Sequence, residues 1–271
     1  MTSLSHGIVN IVSIISRIKK RHRFIISTIF STIIVTTGTF YGFQNIIFVI
    51  PCLIFIVYLL TFFAILEDIT HKEWLMLFLH PVLFTVAFYL FYFFLPARWL
   101  TRLPFAVLFS ISFYAIILSQ NIFNVGVDKS LQLFRAAFSV NFLFLTISTF
   151  MGFSLLMSFH QYFFINGVVS FLIVFPAVLQ FLWSVNPTSH IENEVVRYAL
   201  FVSIIVGEAA TILSFVPINP AMFALFLTAL FYSLSGLFQA YLQKRLFREV
   251  IREYAFVLLF ISGIVLLSLQ W

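Results

Sequence analysis

The sequence predicts an all-α, polytopic transmembrane helical bundle of about nine spans with its N-terminus in the cytoplasm. Three observations carry that class. First, 62% of the residues are hydrophobic and 9% are charged. A soluble domain carries roughly 45–50% apolar and about 25% charged residues, so there is too little charge here to coat a water-soluble globule. Second, apolar runs of about twenty residues recur along the whole chain, the length a helix needs to cross hydrocarbon. Third, the basic residues alternate between connectors in the way a membrane orients its spans, as counted below.

The N-terminal stretch "SLSHGIVNIVSIISRIKKRHR" places its positive charges after its apolar part. That is the reverse of a secretory signal, and the apolar part is too short to span. Ile8, Ile11, Val12, Ile15 and Ile18 repeat at helical spacing, with Asn10, Ser13, Arg17 and Lys20 elsewhere on the wheel. Residues 1–23 are therefore expected to form an amphipathic interfacial helix and basic cluster, its basic end on lipid phosphates. Residues 24–271 are expected to form a single transmembrane domain.

Nine spans follow, near 24–41, 45–66, 74–95, 103–125, 136–159, 167–184, 198–216, 219–239 and 254–270. With the N-terminus inside, Arg98 and Arg102 fall outside and the other thirteen of the fifteen Lys and Arg fall inside. This fits the positive-inside bias of short connectors. The first span is short and Thr-rich, and the hairpin "TFYGFQN" after it decides whether 24–66 is one kinked segment or two helices. The phenylalanines number 39, which fits either lipid-facing aromatic helices or the codon bias of an AT-rich genome. Cys52 is the single cysteine and has no partner for an internal disulfide.

The seventh run, "FVSIIVGEAATILSFVP", contains the question this sequence poses. Eight of the nine acidic residues fall in connectors or at helix ends, but Glu208 lies near the centre of an apolar run. An ionised acid there costs roughly 3 kcal/mol on insertion scales, so a neutral, hydrogen-bonded acid is expected. Ser203, Gly207, Ala210, Thr211 and Ser214 form a small-residue ridge that lets a second backbone approach. Glu208 lies about 100° round from Gly207, which leads us to expect it to face protein.

His80, Asn141, Gln120, Asn121, Gln180 and Tyr232 fall in the cytoplasmic halves of their spans. Polar side chains at that depth face a bundle interior or water, so the pattern predicts a polar cavity around Glu208, open to the cytoplasm. The plainer alternative is that each of these groups bonds its own neighbours and that Glu208 is interhelical glue. His80 precedes Pro81, which lacks an N–H and frees a carbonyl in the third span. Pro217 and Pro220 read as a tight outer hairpin, and Gly38 with Gly42 as a turn at a span's end.

Near the C-terminus, "YLQKRLFREVIREYAF" carries Lys244, Arg248 and Arg252 four residues apart. This reads as an amphipathic cytoplasmic helix whose basic row suits anionic lipid headgroups. Gly-rich phosphate loops, HExxH, Cys/His clusters and GxSxG are absent from the sequence, and no acidic pair or lysine lies inside a span. No catalytic residue, cofactor or metal is expected, and no nucleic acid as partner. The partners expected are membrane lipids and another membrane protein.

The segment "GEAATILSFVPINP" and the following Phe231–Tyr232, with the hydrophobic layout, resemble uncharacterised multipass proteins of small-genome bacteria. The resemblance implies a bacterial cytoplasmic membrane and transfers no site. The expected function is a non-enzymatic membrane component, transporter-like or an accessory or scaffold subunit. An intramembrane enzyme acting on a lipid is the alternative.

Overall fold

The structure is a computed structural model that describes residues 18–41, 43–65, 74–95, 98–125, 131–159, 161–187 and 191–268. The expected interfacial helix over 1–17, and the connectors holding Lys72 and Lys129, lie outside the described residues. Nine α-helices and no strand occur among the described residues: α1 Lys20–Gly38, α2 Ile46–Ile65, α3 Trp74–Phe91, α4 Trp99–Val125, α5 Leu131–Ser158, α6 Phe163–Trp183, α7 Asn193–Leu213, α8 Pro220–Leu242 and α9 Arg248–Leu267. Each coincides with one predicted run. The hairpin question is settled in favour of two helices, because α1 ends at Gly38 and a single 3-10 turn, Phe43–Asn45, leads into α2.

Eight of these helices, α2 to α9, are long and apolar enough to cross a membrane. The exception, α1, is poorer in hydropathy because of its basic first turn and its Ser and Thr residues. Its faces nevertheless divide as a span's do. Ile25, Ile29, Phe30 and Ile33 are exposed, while Ser27, Thr28, Ser31 and Gly38 are buried against the bundle. The buried hydroxyls of two of these are satisfied: Ser27 Oγ donates to Leu60 O at 2.9 Å and Thr28 Oγ1 to Phe24 O at 2.8 Å.

That inside-out division recurs elsewhere. Leu100, Leu108 and Ile111 on α4, and Phe256, Leu259 and Phe260 on α9, point outward, whereas His80, Gln120, Asn141, Gln180 and Ser203 are buried. In water this would be a liability. In hydrocarbon, which cannot hydrogen-bond, it is the favourable arrangement. The protein is a multipass membrane protein.

One expectation at the N-terminus is corrected. Arg23 was assigned to the connector before the first span, but it belongs to α1 and is completely buried. The helix starts earlier than the apolar run, and of its charged first turn Arg23 packs inward while Arg21 and His22 stay exposed.

By its contacts the chain divides into two compact units, residues 1–141 and 142–271, with the boundary inside α5. In the first, α1 packs on α2 and α4, α2 on α3, and α3 on α4. Aromatic rings fill the α3–α4 contact, with Phe88 and Phe105 4.4 Å apart and Phe84 and Phe109 5.9 Å apart. At one end, Tyr89 Oη donates to Gly38 O at 3.2 Å, so Gly38 ends α1 and also receives a ring.

In the second unit the α6–α7 seam is the closest. A Cβ placed on Gly207 would lie 3.0 Å from Gly167 O, an approach only glycines permit. Asn166 Nδ2 donates to Ser214 Oγ at 2.9 Å beside it. The predicted ridge is there: Ser203, Gly207 and Ala210 are buried in α7. The α7–α8 turn starts α8 with Pro220, and Asn219 caps it by accepting from Ala221 N at 2.9 Å. On the far side of α8, the Tyr254 ring of α9 covers Gly236, and Ser233 Oγ donates to Tyr254 O at 3.2 Å.

The expected continuous amphipathic helix through Lys244, Arg248 and Arg252 is broken. Lys244 adopts φ 55, a left-handed conformation that terminates α8. Arg245 N bonds Ala240 O at 2.8 Å and Lys244 N bonds Tyr241 O at 2.9 Å, the paired bonds of a Schellman cap. Only Arg248 and Arg252 share a helix, the first turns of α9.

Candidate functional site

Three of the predicted polar residues come together in the first unit. His80 from α3, Gln120 from α4 and Asn141 from α5 are fully buried. Asn141 Oδ1 lies 2.6 Å from His80 Nδ1 and 2.9 Å from Gln120 Nε2. An amide oxygen only accepts, so His80 Nδ1 carries a proton and donates. Gln120 Nε2, 3.4 Å from His80 Nδ1, is then a second donor converging on the same acceptor. In the neutral ring the other nitrogen, Nε2, presents a lone pair; it is buried without a partner in the protein.

The last two turns of α4 carry more polarity than the sequence reading assigned. Asn121 Oδ1 and Asn124 Nδ2 are also buried without partners. Asn121 was among the expected residues and Asn124 was not. It lies one turn beyond Gln120 at helical spacing, the signal that could have found it. On the outward surface of α1 and α2 there is an open groove of about 590 Å³ lined by Ile34, Thr37, Tyr41, Phe48, Cys52 and Leu53. The exposed Cys52 opens onto it.

Gln180 and Tyr232 belong to the second unit. Gln180 is buried in the last turn of α6. Tyr232 stacks on Phe142 at 4.8 Å, and Phe142 stacks on Phe181 at 4.2 Å. The ring of α5 is thus clasped between those of α6 and α8.

Glu208 is not where the sequence reading put it: its side chain is exposed. The centre of the buried face of α7 is the line through Ala199, Val206 and Ala210, and Gly207 lies at its α6 edge. A further step of about 100° carries Glu208 away from the bundle, about 180° from Ala199. Its outward neighbours Phe201, Ile204, Ile212 and Phe215 are exposed. The polar first turn of α7 lies at the helix start, with Glu194 and Arg197 side chains 4.0 Å apart. Lys244, Arg248 and Arg252 are all exposed. Among the described residues no group of His, Cys, Asp and Glu could hold a metal ion.

A family model described as a protein of unknown function (DUF5656) matches residues 137–268. That span begins in α5 and runs through α9, close to the bounds of the second compact unit. The chain is similar to that family over this region. No curated protein and no solved structure matches the chain.

Proposed function

We propose that the chain is a non-enzymatic component of a bacterial-type cytoplasmic membrane, an accessory or scaffold subunit that associates with other membrane helices. The observation that carries this reading is the outward Glu208. A carboxylate facing lipid at mid-span costs roughly 2.5–3.5 kcal/mol, and a helix that brings a hydrogen-bond partner offsets the cost. A photoreactive amino acid at Ile212, one turn along the same face, tests it in native membranes. Protein adducts are expected; adducts to lipid alone would contradict association.

A transporter-like role is the second reading. It is favoured by the unmatched His80 Nε2, Asn121 Oδ1 and Asn124 Nδ2, which need water or a polar ligand for partners. The polar centre of such a protein is then His80, Gln120 and Asn141, not Glu208. The orientation with N-terminus inside is supported by the distribution of Lys and Arg. The exposure of Lys244, Arg248 and Arg252 supports contact with anionic headgroups on that side.

A further inference from the structure

We infer that Arg102 and Tyr92 form a binding site for a phosphate group at the membrane interface where α4 begins. The site shares no residue with the Glu208 face or with the His80 cluster.

Arg102 lies in the first turn of α4 and is held from two sides. Its Nε donates to Tyr92 Oη at 2.8 Å, and its Cζ sits 3.9 Å from the centre of the Phe40 ring. Tyr92, just past α3, is 2% exposed. Edge contacts fix its ring against Phe93 and Phe105, with centres 5.8 and 4.9 Å away. Phe40, just past α1, supports the face of the cation. A long side chain ordered in advance spares a ligand that cost.

What the arrangement leaves over is donors. Nε takes one edge of the guanidinium, and the two Nη groups have no acceptor among the described residues. Tyr92 Oη accepts from Arg102 and keeps its own proton to give, which no described residue takes. A planar guanidinium fork with a hydroxyl beside it suits the accepting oxygens of a phosphate.

No acid of this chain supplies the counter-charge. In the first unit, Glu67, Asp68, Glu73 and Asp128 all belong to the connectors after α2 and α4. Glu73 precedes α3 and Tyr92 follows it; Asp128 follows the last turn of α4 and Arg102 stands in the first. These helices have 18 and 27 residues, which at 1.5 Å per residue is a separation of about 27 Å or more. The five acids among the described residues do not pair with Arg102. The counter-charge therefore comes from outside the chain.

The depth suits a lipid phosphate. Tyr41, Phe94 and Trp99 at this end are exposed, as in the aromatic belt at headgroup level. Arg98, one turn before Arg102, is exposed as well and adds positive charge. Inorganic phosphate from water presents the same oxygens to the same donors.

Thermal unfolding of the full-length chain in an uncharged detergent at constant ionic strength tests the site. The parent carries Arg248→Gln and Arg252→Gln, which removes the basic row of α9. The additives are phosphatidylglycerol, diacylglycerol with the same chains, and inorganic phosphate; a ligand of the folded state raises the melting temperature by mass action. Phosphatidylglycerol should stabilise the parent more than diacylglycerol does. Arg102→Gln and Tyr92→Phe should each need about tenfold more of it for the same shift, the loss of one charge-assisted bond. Tyr92→Phe keeps the ring packing and decides the matter if Arg102→Gln folds poorly. A parent stabilised equally by inorganic phosphate, with the variants weakened, marks a soluble anion as the source; stabilisation by phosphatidylglycerol alone marks lipid. The inference is overturned by a parent that responds to neither phosphate, by diacylglycerol stabilising as well as phosphatidylglycerol, or by a folded variant that responds like the parent.

Discussion

Gly167 and Gly207 face each other across the α6–α7 seam, each so near that a Cβ on either would lie 3.0–3.1 Å from the other's carbonyl oxygen. Two backbones in contact leave little room for lipid and let Asn166 reach Ser214. The seam fixes the rotation of α7 and thereby decides which way Glu208 points.

The two glycines do not tolerate a methyl group equally. The atom nearest a Cβ on Gly167 is Thr211 Oγ1, which bonds Gly207 O at 2.9 Å. Gly167→Ala should lose about 1–3 kcal/mol through overpacking. In a Thr211→Ala background, where that hydroxyl is gone, the same change should cost less. A double-mutant cycle of unfolding in mixed micelles measures the difference; additive effects would mean the seam relaxes elsewhere.

Asn141 is the acceptor on which two donors converge. Asn141→Leu removes the acceptor of His80 Nδ1–H in the interior and should cost about 1–3 kcal/mol. His80→Leu removes one donor together with the unmatched Nε2, and should cost less than Asn141→Leu. Thermal unfolding of the purified variants compares them; the opposite order would place a polar ligand or water on His80.

Topology should follow the division of faces and not average hydropathy. In a Cys52→Ser background, cysteine tags at Lys19, Thr70 and Ser189 should report the cytoplasm, and tags at Tyr41, Thr101 and Gln161 the outside. Lys19 reporting the same side as Tyr41 would remove α1 from the spans. Deleting residues 1–16 should leave insertion intact, because Arg17 to Arg23 still orient α1.

The helices were legible because each is an apolar run closed by polar connectors, and the α7–α8 turn because Pro220 is a strong local signal. The small-residue ridge was legible as a pattern, but its centre was not. Glu208, about 100° round from Gly207, was expected to border the ridge and face protein, but Gly207 marks one edge of the buried face, so that step turns Glu208 outward. That His80, Gln120 and Asn141 lie within long apolar helices could be read from the chain. Their convergence depends on how α3, α4 and α5 pack, as does the assignment of Gln180 and Tyr232 to the other unit. Lys244 broke the amphipathic helix through a left-handed conformation that is uncommon for a residue with a Cβ, so its sequence offered little warning.

The orientation of α7 underlies both the α6–α7 seam and the outward acid, and one comparison tests it most directly. Gly207→Ala adds a methyl group on the buried side of α7 and Glu208→Ala cuts the neighbouring side chain back to one on the exposed side, so together they report which face packs. Unfolding is measured in detergent, dilute enough to keep the chain monomeric. Gly207→Ala should lose about 1–3 kcal/mol because its Cβ meets a backbone carbonyl. Glu208→Ala should stay within about 0.5 kcal/mol of wild type, as an outward residue with nothing to lose inside its own chain. The reverse result, a tolerated Gly207→Ala and a destabilised Glu208→Ala, would contradict the account and turn the acid back into the bundle.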